Sequence, residues 1–244
     1  KTLYMTGFGV SGALLAKPDI GLISASEMIA RASQIVDAID QVPLIADGDN
    51  GYGGVYNVSR LVRAYERAGV ACIQLEDQVI PKRCGHMENK EVVEIDEATI
   101  KISAAVQSRT SNEFLIAART DSRATHGLDE ALRRGEAFLS AGADILFIEA
   151  PQSIEEMQTI KKEFPETPLI ANMVEGGKTP ELSVKELEKL GFKIVLRPVT
   201  ALLSTADTLR RCYSSLSDES AAGSPPPMLS FDEYNEMIGL PDYK

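Results

Sequence analysis

The fold is decided by residues 55–77, which read VYNVSRLVRAYERAGVACIQLED. In the first part of this stretch the apolar side chains share one face at helical spacing, which predicts an amphipathic helix; they are Val55, Val58, Leu61, Val62 and Tyr65. Gly69 then stands where a helix end adopts the left-handed conformation, which costs glycine nothing. The apolar run after it predicts a buried strand. The stretch therefore predicts a helix that turns directly back into a sheet.

The same helix–glycine–strand step occurs twice more in the chain. Gly142 precedes the run DILFIEA, and Gly191 precedes KIVLRP. Continuous apolar strands separated by helices are typical of a parallel sheet that helices cover on both faces. We therefore predict seven parallel strands, at residues 3–6, 43–47, 71–76, 114–119, 144–149, 168–172 and 193–197.

The number of strands distinguishes a closed barrel from an open, doubly wound sheet. A (β/α)₈ barrel needs eight strands and about 250 residues, and this chain has 244 residues. No G-x-G-x-x-G motif follows the first strand, which argues against an open dinucleotide-binding sheet. The chain begins at Lys1, directly before the first strand and without an initiator methionine. We expect an α/β fold of the (β/α)₈ TIM type, with parallel strands, from which the first βα unit is missing.

Composition predicts where the barrel ends. Residues 218–227, DESAAGSPPP, have the composition of a linker. Apolar residues at helical spacing in 228–240 predict a short helix beyond it. We therefore predict a catalytic barrel at 1–217, a linker at 218–227 and a C-terminal helical tail at 228–244. An appended helix of this kind either caps the barrel or docks on a neighbouring subunit.

The chain is acidic, with 25 Lys and Arg against 36 Asp and Glu and a formal net charge of −11 at pH 7. This balance disfavours nucleic acid and anionic membranes as partners, and no apolar run approaches the roughly 20 residues of a bilayer-spanning helix. The three cysteines do not form a disulfide framework. Cys72 lies in a strand pattern and Cys212 in a helical one, where packing is the expected role. We expect a reducing compartment, the cytoplasm, or an organelle if a transit peptide has been removed.

Acidic residues gather where two neighbouring strands end. Asp47 and Asp49 open the loop DGDNGYGG at residues 47–54, and Glu76 and Asp77 end the next strand. Active sites of TIM barrels lie at the C-terminal ends of the strands, where such carboxylates raise one another's pKa values. A magnesium ion, which combines a few carboxylates with water and substrate oxygens, relieves this repulsion. The alternative is that the carboxylates cap helix N-termini.

A reactive cysteine is predicted in a long polar loop. Cys84 lies in the sequence PKRCGH at residues 81–86, beside two cations and His86. These neighbours lower the pKa of a thiol, and the adjacent Gly85 leaves it accessible. Such a thiol serves as a nucleophile or as an acid–base group near neutral pH.

Arg119 ends the predicted strand 114–119. An arginine at the end of a barrel strand is suited to hold a carboxylate, because its fork binds both oxygens. A buried ion pair with Glu76 or Glu149 is an equally good interpretation of the same position.

Six motifs, in this order, closely resemble the isocitrate lyase / phosphoenolpyruvate mutase superfamily: DGDNGYGG, LEDQ, PKRCGHMENK, ARTD, IEAP and ANMVEGGKTP. The resemblance extends from Tyr4 to about Leu216. Within the superfamily the chain looks like the branches of 2-methylisocitrate lyases and 2-alkylmalate lyases of the petal-death-protein type. This resemblance implies an (α/β)₈ barrel with one further strand–helix unit at its start. It also implies a homotetramer whose last helices are swapped between subunits.

The resemblance assigns a role to each matched residue. The magnesium-site acids correspond to Asp47, Asp49, Glu76 and Asp19, with Mn²⁺ as an alternative metal. The catalytic groups correspond to Cys84, Arg119 and His86. The turn that holds a carboxylate or an oxyanion corresponds to Thr6, Gly7 and Phe8, and the other substrate contacts correspond to Gly85, Glu149, Asn172 and Glu175. The partner implied is a small carboxylate substrate.

These roles imply a Mg²⁺-dependent carbon–carbon lyase. Its substrate would be a 2-hydroxy di- or tricarboxylate, of the 2-alkylmalate or 2-methylisocitrate type, and its products an α-keto acid and a carboxylate. Cys84 would reprotonate the departing carbon. Oxaloacetate hydrolysis is the nearest alternative. A phosphonomutase is disfavoured because mutases resemble K-T-N-S where this chain has KRCG at 82–85, and a barrel that has lost its activity is a further alternative.

Two positions depart from the methylisocitrate lyase pattern. Val174 stands where the pattern of those enzymes has threonine, and Leu203 stands where it has arginine. A substrate carboxylate left without its partner would cost about 2–5 kcal/mol. We therefore expect a dicarboxylate such as a 2-alkylmalate to be preferred over a tricarboxylate, with Arg197 as a partial substitute for the missing cation.

Overall fold

The structure of the chain, a computed structural model, describes residues 1–83, 85, 90–217 and 227–243. Two compact units are present, Lys1–Thr200 and Ala201–Lys244. The seven described strands all belong to the first unit. The predicted linker at 218–227 lies outside the described residues except for Pro227, and the predicted extent of the catalytic domain to residue 217 stays a prediction.

Each of the seven predicted apolar runs contains a strand, with ends that differ by no more than two residues. The strands are β1 Leu3–Met5, β2 Leu44–Asp47, β3 Cys72–Glu76, β4 Leu115–Thr120, β5 Ile145–Ile148, β6 Ile170–Asn172 and β7 Ile194–Leu196. Strands β1 to β5 pair in chain order and in parallel, and so do β6 and β7. A parallel bridge between Leu146 and Leu169 joins the two groups.

Helices follow the strands, as in a β/α barrel. They are α1 Gly7–Val10, α2 Ala25–Ala38, α3 Val55–Arg67, α4 Ile95–Ser108, α5 Ser122–His126, α6 Leu128–Ser140, α7 Ile154–Glu163, α8 Val184–Leu190, α9 Thr200–Ser217 and α10 Phe231–Met237. A π-helical turn, Ser11–Leu15, continues α1, and a 3₁₀ turn, Leu240–Tyr243, follows α10. Helix α3 begins where the periodicity predicts and buries its apolar face, at Val58, Leu61, Val62 and Tyr65.

The glycines that were predicted to end helices have the required conformation. Gly69, Gly142 and Gly191 have φ values of +83°, +99° and +93°, which only glycine adopts without strain. The chain reverses at each of them and enters the next strand.

The two faces of the strands have different neighbours. Side chains such as Leu44, Ile73 and Ile116 belong to the large apolar core that includes the buried faces of the helices. Alternate side chains form a second, smaller apolar cluster, whose buried members are Ile45, Cys72, Ala117, Ile145, Phe147, Ile170 and Leu196. Because side chains alternate along a strand, the same inner rows continue to Asp47, Glu76, Arg119, Glu149 and Asn172. The fold thus places polar groups at the C-terminal ends of the inner rows.

The second unit has little buried surface of its own. Neither α9 nor α10 contains a buried side chain, and apolar side chains of this unit are exposed, among them Leu209, Tyr213, Leu216, Phe231, Tyr234 and Met237. Helix α10 confirms the helix expected within 228–240. None of the described helices is long and apolar enough to cross a membrane.

Candidate active site

A pocket lies at the C-terminal ends of the strands. Eight of the predicted site residues line it: Thr6, Phe8, Asp19, Asp47, Glu76, Gly85, Arg119 and Asn172. These residues lie at or after the C-terminal ends of five strands, β1, β2, β3, β4 and β6, and the parallel barrel brings the strand ends together. The rest of the lining includes the apolar side chains of Phe147, Val174, Leu196, Pro198 and Val199.

Asp47 is held by a set of donors. Its Oδ2 accepts a hydrogen bond from the Gly7 backbone N–H at 3.0 Å, and its Oδ1 accepts one from the Asp49 N–H at 3.0 Å. The Gln74 side chain adds a longer bond to Oδ1, at 3.3 Å. Burial, followed by the neighbouring Asp49 carboxylate, nevertheless raises the pKa of Asp47. The predicted turn at Gly7 therefore donates to a carboxylate of the protein in this structure.

The loop that carries these acids has a left-handed backbone at one of them. Asp49 has a φ of +46°, in the left-handed region that only glycine, asparagine and aspartate visit readily. The side chain is almost completely buried. The backbone conformation is thus held by the surrounding structure and places the carboxylate beside Asp47.

Lys82 bridges two of the acids, a role that the sequence analysis missed. Its Nζ lies 2.6 Å from Asp49 Oδ1 and 2.7 Å from Asp19 Oδ1, and all three side chains are buried. Burial lowers the pKa of this lysine, but the carboxylates around it, Asp49 and Glu76 foremost, outweigh burial and raise it. Lys82 is therefore a permanent cation among the predicted metal ligands. Its partner Asp19 is distant in sequence, which is why no local pattern indicated the pair.

The predicted metal ligands are acidic side chains that offer a small number of oxygen donors. Among the described residues, no three His, Cys, Asp or Glu side chains form a ready-made metal cluster. Lys82 pairs with one oxygen of Asp19 and one oxygen of Asp49. Glu76 Oε1 is buried and accepts no hydrogen bond from the residues that the structure describes. Carboxylate oxygens are the ligands of a hard cation, and Mg²⁺ commonly keeps several waters. Asp47, Asp49 and Glu76 thus have the donor chemistry that a magnesium ion takes together with water or substrate oxygens, although the three carboxylates are not gathered into one cluster in the described structure.

Arg119 is held in a fork by Asp121. Its Nε donates to Asp121 Oδ2 at 2.8 Å and its Nη2 to Oδ1 at 3.0 Å. Glu76 Oε2 and Glu149 Oε2 each lie 3.5 Å from the guanidinium, and the Phe147 ring centroid lies 5.1 Å from its Cζ. The predicted alternative of ion pairs with Glu76 and Glu149 is thus present, but Asp121 is the principal partner. The spacing i, i+2 on one strand face was the signal for it.

The surroundings of this cluster shift the pKa values of two of its carboxyl groups in opposite directions. Burial alone would raise the pKa of Asp121, but Arg119 and Lys90 lower it well below its usual range. Burial likewise raises the pKa of Glu76 well above its usual value, although Arg119 opposes the effect. One buried carboxylate is therefore firmly ionised while its neighbour is pushed towards the neutral form.

Glu149 and Asn172 form the next part of the site. The Asn172 Nδ2 lies 3.3 and 3.2 Å from the two carboxylate oxygens of Glu149 and donates to them. Asn172 Oδ1 is buried and accepts no hydrogen bond from the described residues. This amide oxygen is available to a hydroxyl group of a ligand in the pocket.

Tyr4 is a second residue that the sequence analysis missed. It lines the pocket, and its hydroxyl donates to Gln74 Oε1 at 2.7 Å. Burial, followed by the Asp47 charge, raises its pKa well above the usual value. Tyr4 is therefore a neutral phenol. Tyr4 lies in the middle of β1, whereas the sequence pattern indicates functional residues at the ends of strands.

One predicted residue, Glu175, does not reach the pocket. Glu175 is exposed, accepts a hydrogen bond from Thr200 and lies 3.6 Å from the Arg197 guanidinium; it is absent from the lining. It follows β6 in a turn, so its side chain is not on the inner row. Cys84 and His86 lie outside the described residues, and their catalytic roles stay predictions.

The chain matches a family profile described as phosphoenolpyruvate phosphomutase over residues 1–216. It is 49% identical over 239 residues to 2,3-dimethylmalate lyase of Eubacterium barkeri, covering 98% of this chain and 82% of that protein. A solved structure of 2,3-dimethylmalate lyase, described as a member of the PEP mutase/isocitrate lyase superfamily, matches with a TM-score of 0.94 at 36% identity and covers 99% of this chain and 81% of the other.

Two solved complexes of other enzymes are also similar. Oxaloacetate acetylhydrolase with the inhibitor 3,3-difluorooxalacetate has a TM-score of 0.94 at 35% identity, over 100% of this chain and 82% of the other. Phosphonopyruvate hydrolase with oxalate and Mg²⁺ has a TM-score of 0.80 at 28% identity, over 98% and 83%. Small dicarboxylic and keto-acid ligands, and in one case magnesium, therefore occur in proteins of this fold.

Proposed function

Since this chain belongs to the phosphoenolpyruvate phosphomutase family, within the isocitrate lyase / phosphoenolpyruvate mutase superfamily, we propose that it cleaves the carbon–carbon bond of an alkyl-substituted malate. The resemblance predicted from the motifs is confirmed, and so is the enzyme class, because the 49% identical relative is a named lyase. The parallel α/β fold shared with a superfamily member agrees with the predicted TIM-type barrel.

The observation that carries the proposal is the division of the pocket into a charged and an apolar part. Asp47, Glu76, Arg119 and Asn172 provide the polar groups, whereas the remaining walls include Phe8, Val174, Leu196 and Val199. A malate with alkyl substituents has the same division, with two carboxylates and a hydroxyl on a branched apolar body. Pockets that fix orientation with few polar groups and bury the rest of the ligand in apolar contact select such molecules.

The reaction on 2,3-dimethylmalate can be written with every atom in place. The C2 hydroxyl loses its proton to a base, the C2–C3 bond breaks, and its electron pair is delocalised into the C4 carboxylate. A proton added at C3 then completes propionate, and C1–C2 with its methyl group leaves as pyruvate. The charge that develops on the departing carboxylate is the part of the transition state that the site must stabilise.

Residues of the chain account for binding and orientation. The Arg119 guanidinium, fixed by Asp121, offers its remaining N–H groups to a substrate carboxylate. Asn172 Oδ1, which accepts no hydrogen bond from the described residues, is suited to accept one from the substrate hydroxyl. Cys84, predicted from its cationic neighbours, is the proton donor to C3. His86, two residues further along the same loop, is the other catalytic group that the resemblance implies there.

Asp47, Asp49 and Glu76 are the residues that would hold Mg²⁺, together with Asp19. Mn²⁺ is the alternative metal. When bound, the metal would stabilise negative charge on the oxygens of the α-keto acid product. The presence of Mg²⁺ beside oxalate in the related hydrolase supports this assignment.

Hydrolysis of oxaloacetate is the second candidate. It is supported by the equal TM-scores, 0.94, of the chain with the lyase and with oxaloacetate acetylhydrolase. Oxaloacetate has no alkyl group, so it would leave the apolar walls of the pocket without a contact. The lyase is therefore the proposal that uses the whole lining.

The deciding experiment presents purified protein with 2,3-dimethylmalate, other 2-alkylmalates, 2-methylisocitrate, isocitrate and oxaloacetate, with Mg²⁺ or with chelator. We expect Mg²⁺-dependent release of an α-keto acid from an alkylmalate at the highest kcat/KM. Faster turnover of a tricarboxylate or of oxaloacetate would overturn the substrate assignment.

The matched variants for this experiment are two cysteines. Cys84→Ser should abolish keto-acid release, whereas Cys212→Ser, on α9, should leave it unchanged. Full activity of Cys84→Ser would remove this thiol from the mechanism.

The exposed apolar side chains of α9 and α10 support the assembly implied by the resemblance, a homotetramer with swapped C-terminal helices. Light scattering after size-exclusion chromatography tests it, and a monomer at micromolar concentration would contradict it. The free thiols of Cys72 and Cys212 support residence in a reducing compartment such as the cytoplasm.

A further inference from the structure

Lys90 is a buried cation for which the proposed reaction has no use so far. Its side chain is 1% exposed, and it follows the PKRCGH motif by four residues. Its Nζ donates to two acceptors, the Gly85 carbonyl oxygen at 2.6 Å and Asp121 Oδ1 at 2.6 Å. A lysine is rarely buried so completely unless it is paired. Here the two acceptors belong to different parts of the site.

The first acceptor, Gly85, lies against the substrate-binding arginine. A Cβ added at Gly85 would lie 2.2 Å from Arg119 Nη2 and 3.1 Å from Glu149 Cδ. Both of those side chains are buried parts of strand ends, so they cannot move away cheaply. The backbone of Gly85 therefore packs directly on the Arg119–Glu149 pair, and its position defines one wall of the pocket.

The second acceptor, Asp121, is fixed from several sides. It takes two hydrogen bonds from Arg119, and its backbone N–H donates to Asp77 Oδ1 at 2.9 Å. Asp77 is in turn bound by Thr120 at 2.7 Å and by Arg134 at 3.0 Å. Asp121 is thus a rigid reference point behind the pocket, and charge-assisted bonds of this kind hold geometry firmly.

We infer that Lys90 is a positioning residue, which ties the Gly85 peptide to the Asp121–Arg119 pair and so sets the width of the pocket between Gly85 and Arg119. The inference rests on the proposed function only in that Arg119 is taken to bind a substrate carboxylate. Lys90 itself is absent from the pocket lining and acts through Gly85 and Asp121. Loss of its ammonium removes the only bond that joins these two groups among the described contacts.

The test compares Lys90→Met with Lys101→Met. Both substitutions remove the ammonium of a buried lysine and keep an unbranched chain. Lys101, on α4, differs in that its ion pair is with Glu97, at 3.1 Å, whereas the hydrogen bonds to Gly85 and Asp121 come from Lys90. Amide hydrogen exchange by mass spectrometry follows peptides within residues 78–92 and, as reference, peptides of β3 and β4. Calorimetry with oxalate and Mg²⁺ measures binding without turnover.

We expect Lys90→Met to accelerate exchange at least tenfold in the peptides that contain Gly85, with β3 and β4 unchanged, and to weaken oxalate binding at least tenfold. Lys101→Met should alter neither. Unchanged exchange around Gly85 in Lys90→Met, or a uniform acceleration that Lys101→Met shares, would overturn the inference.

Failure of the lyase proposal gives a different result. If the wild type releases no keto acid from any substrate but Lys90→Met still loosens only the Gly85 peptides, the positioning role stands and the lyase assignment fails. If the wild type is an active lyase and Lys90→Met equals Lys101→Met in exchange, oxalate binding and the ratio of kcat to KM, the positioning role fails and the lyase stands.

Discussion

The inner faces of the strands carry two layers with opposite character. The lower layer consists of small and branched apolar side chains, among them Ile45, Ala117, Ile145 and Ile170. The upper layer, two to four residues further along the same strands, consists of Asp47, Glu76, Arg119, Glu149 and Asn172. Both layers are buried. Burial stabilises the first through the hydrophobic effect and is costly for the second unless each charge is paired.

This contrast teaches that stability and activity are separated along each strand rather than between regions of the chain. A substitution in the lower layer should change the free energy of unfolding but not kcat/KM. One in the upper layer should change kcat/KM, and it should change stability only through the pairing of buried charges. The predictions below test that separation, beginning with the largest effect.

Arg119→Met should have the largest effect, because it removes the cation shared by Asp121, Glu76 and the substrate. We expect kcat/KM to fall roughly 100- to 1,000-fold, as for loss of a transition-state donor, and the free energy of unfolding to fall by about 3–5 kcal/mol. The control is Arg123→Met, since Arg123 pairs with Glu156 at 2.6 Å outside the pocket. Activity within a few fold of wild type would show that the upper layer is not the binding site.

Ile145→Ala tests the lower layer. Ile145 is 4% exposed and does not line the pocket, so its truncation leaves a cavity that should cost about 2–5 kcal/mol of unfolding free energy in urea. The kcat/KM measured at low temperature should stay at the wild-type value. The exposed Ile154 gives the control, Ile154→Ala. A loss of activity in folded Ile145→Ala would break the separation of the two layers.

Glu76→Gln should act on both properties in opposite directions. Burial raises the pKa of Glu76 well above its usual value. In the absence of metal, stability is therefore lost as pH rises through this raised pKa and regained as pH falls through it towards the ordinary pKa of the unfolded chain. With chelator present, Glu76→Gln should therefore raise the unfolding free energy at neutral pH and flatten its pH dependence.

The same substitution should weaken Mg²⁺-dependent activity, because it removes a charged ligand. Glu136→Gln, on the exposed face of α6, is the matched control. If Glu76→Gln were less stable than the wild type throughout the pH range, the Arg119 interaction would outweigh burial at this position.

Val174→Thr should have the smallest effect. Val174 lines the pocket, and the hydroxyl restores one hydrogen-bonding group, worth about 0.5–1.5 kcal/mol. We expect kcat/KM for 2-methylisocitrate relative to 2,3-dimethylmalate to rise by no more than about tenfold. Leu203→Arg alone provides the comparison. An unchanged ratio in Val174→Thr would exclude this position from substrate selection, and a lower ratio would contradict the expected role of the hydroxyl.

Sequence patterns predicted the strands and the ends of the inner rows. Strand positions follow from local properties, namely apolar runs and glycines that reverse the chain, so all seven strands are found where expected. Asp47, Glu76, Arg119 and Asn172 meet because each is the last inner residue of a parallel strand, which topology alone dictates.

Pairings between distant segments could not be predicted in the same way. Lys82 with Asp19 and Lys90 with Asp121 are separated by 63 and 31 residues, and nothing in either segment specifies its partner. Glu175 shows the converse. Its motif was recognised, but the turn that contains Gly176, with a φ of +70°, lies beyond the end of β6 and leaves the side chain exposed. Local pattern gives the scaffold, whereas ion-pair partners depend on packing.

The left-handed backbone of Asp49 has a consequence for how this protein can change by mutation. Its φ of +46° suits aspartate, asparagine and glycine, and codons for asparagine and glycine are each a single nucleotide away from an aspartate codon. Either replacement keeps the loop shape and deletes the charge. A single mutation in this codon can therefore remove one of the proposed magnesium ligands without changing the left-handed backbone that the loop requires.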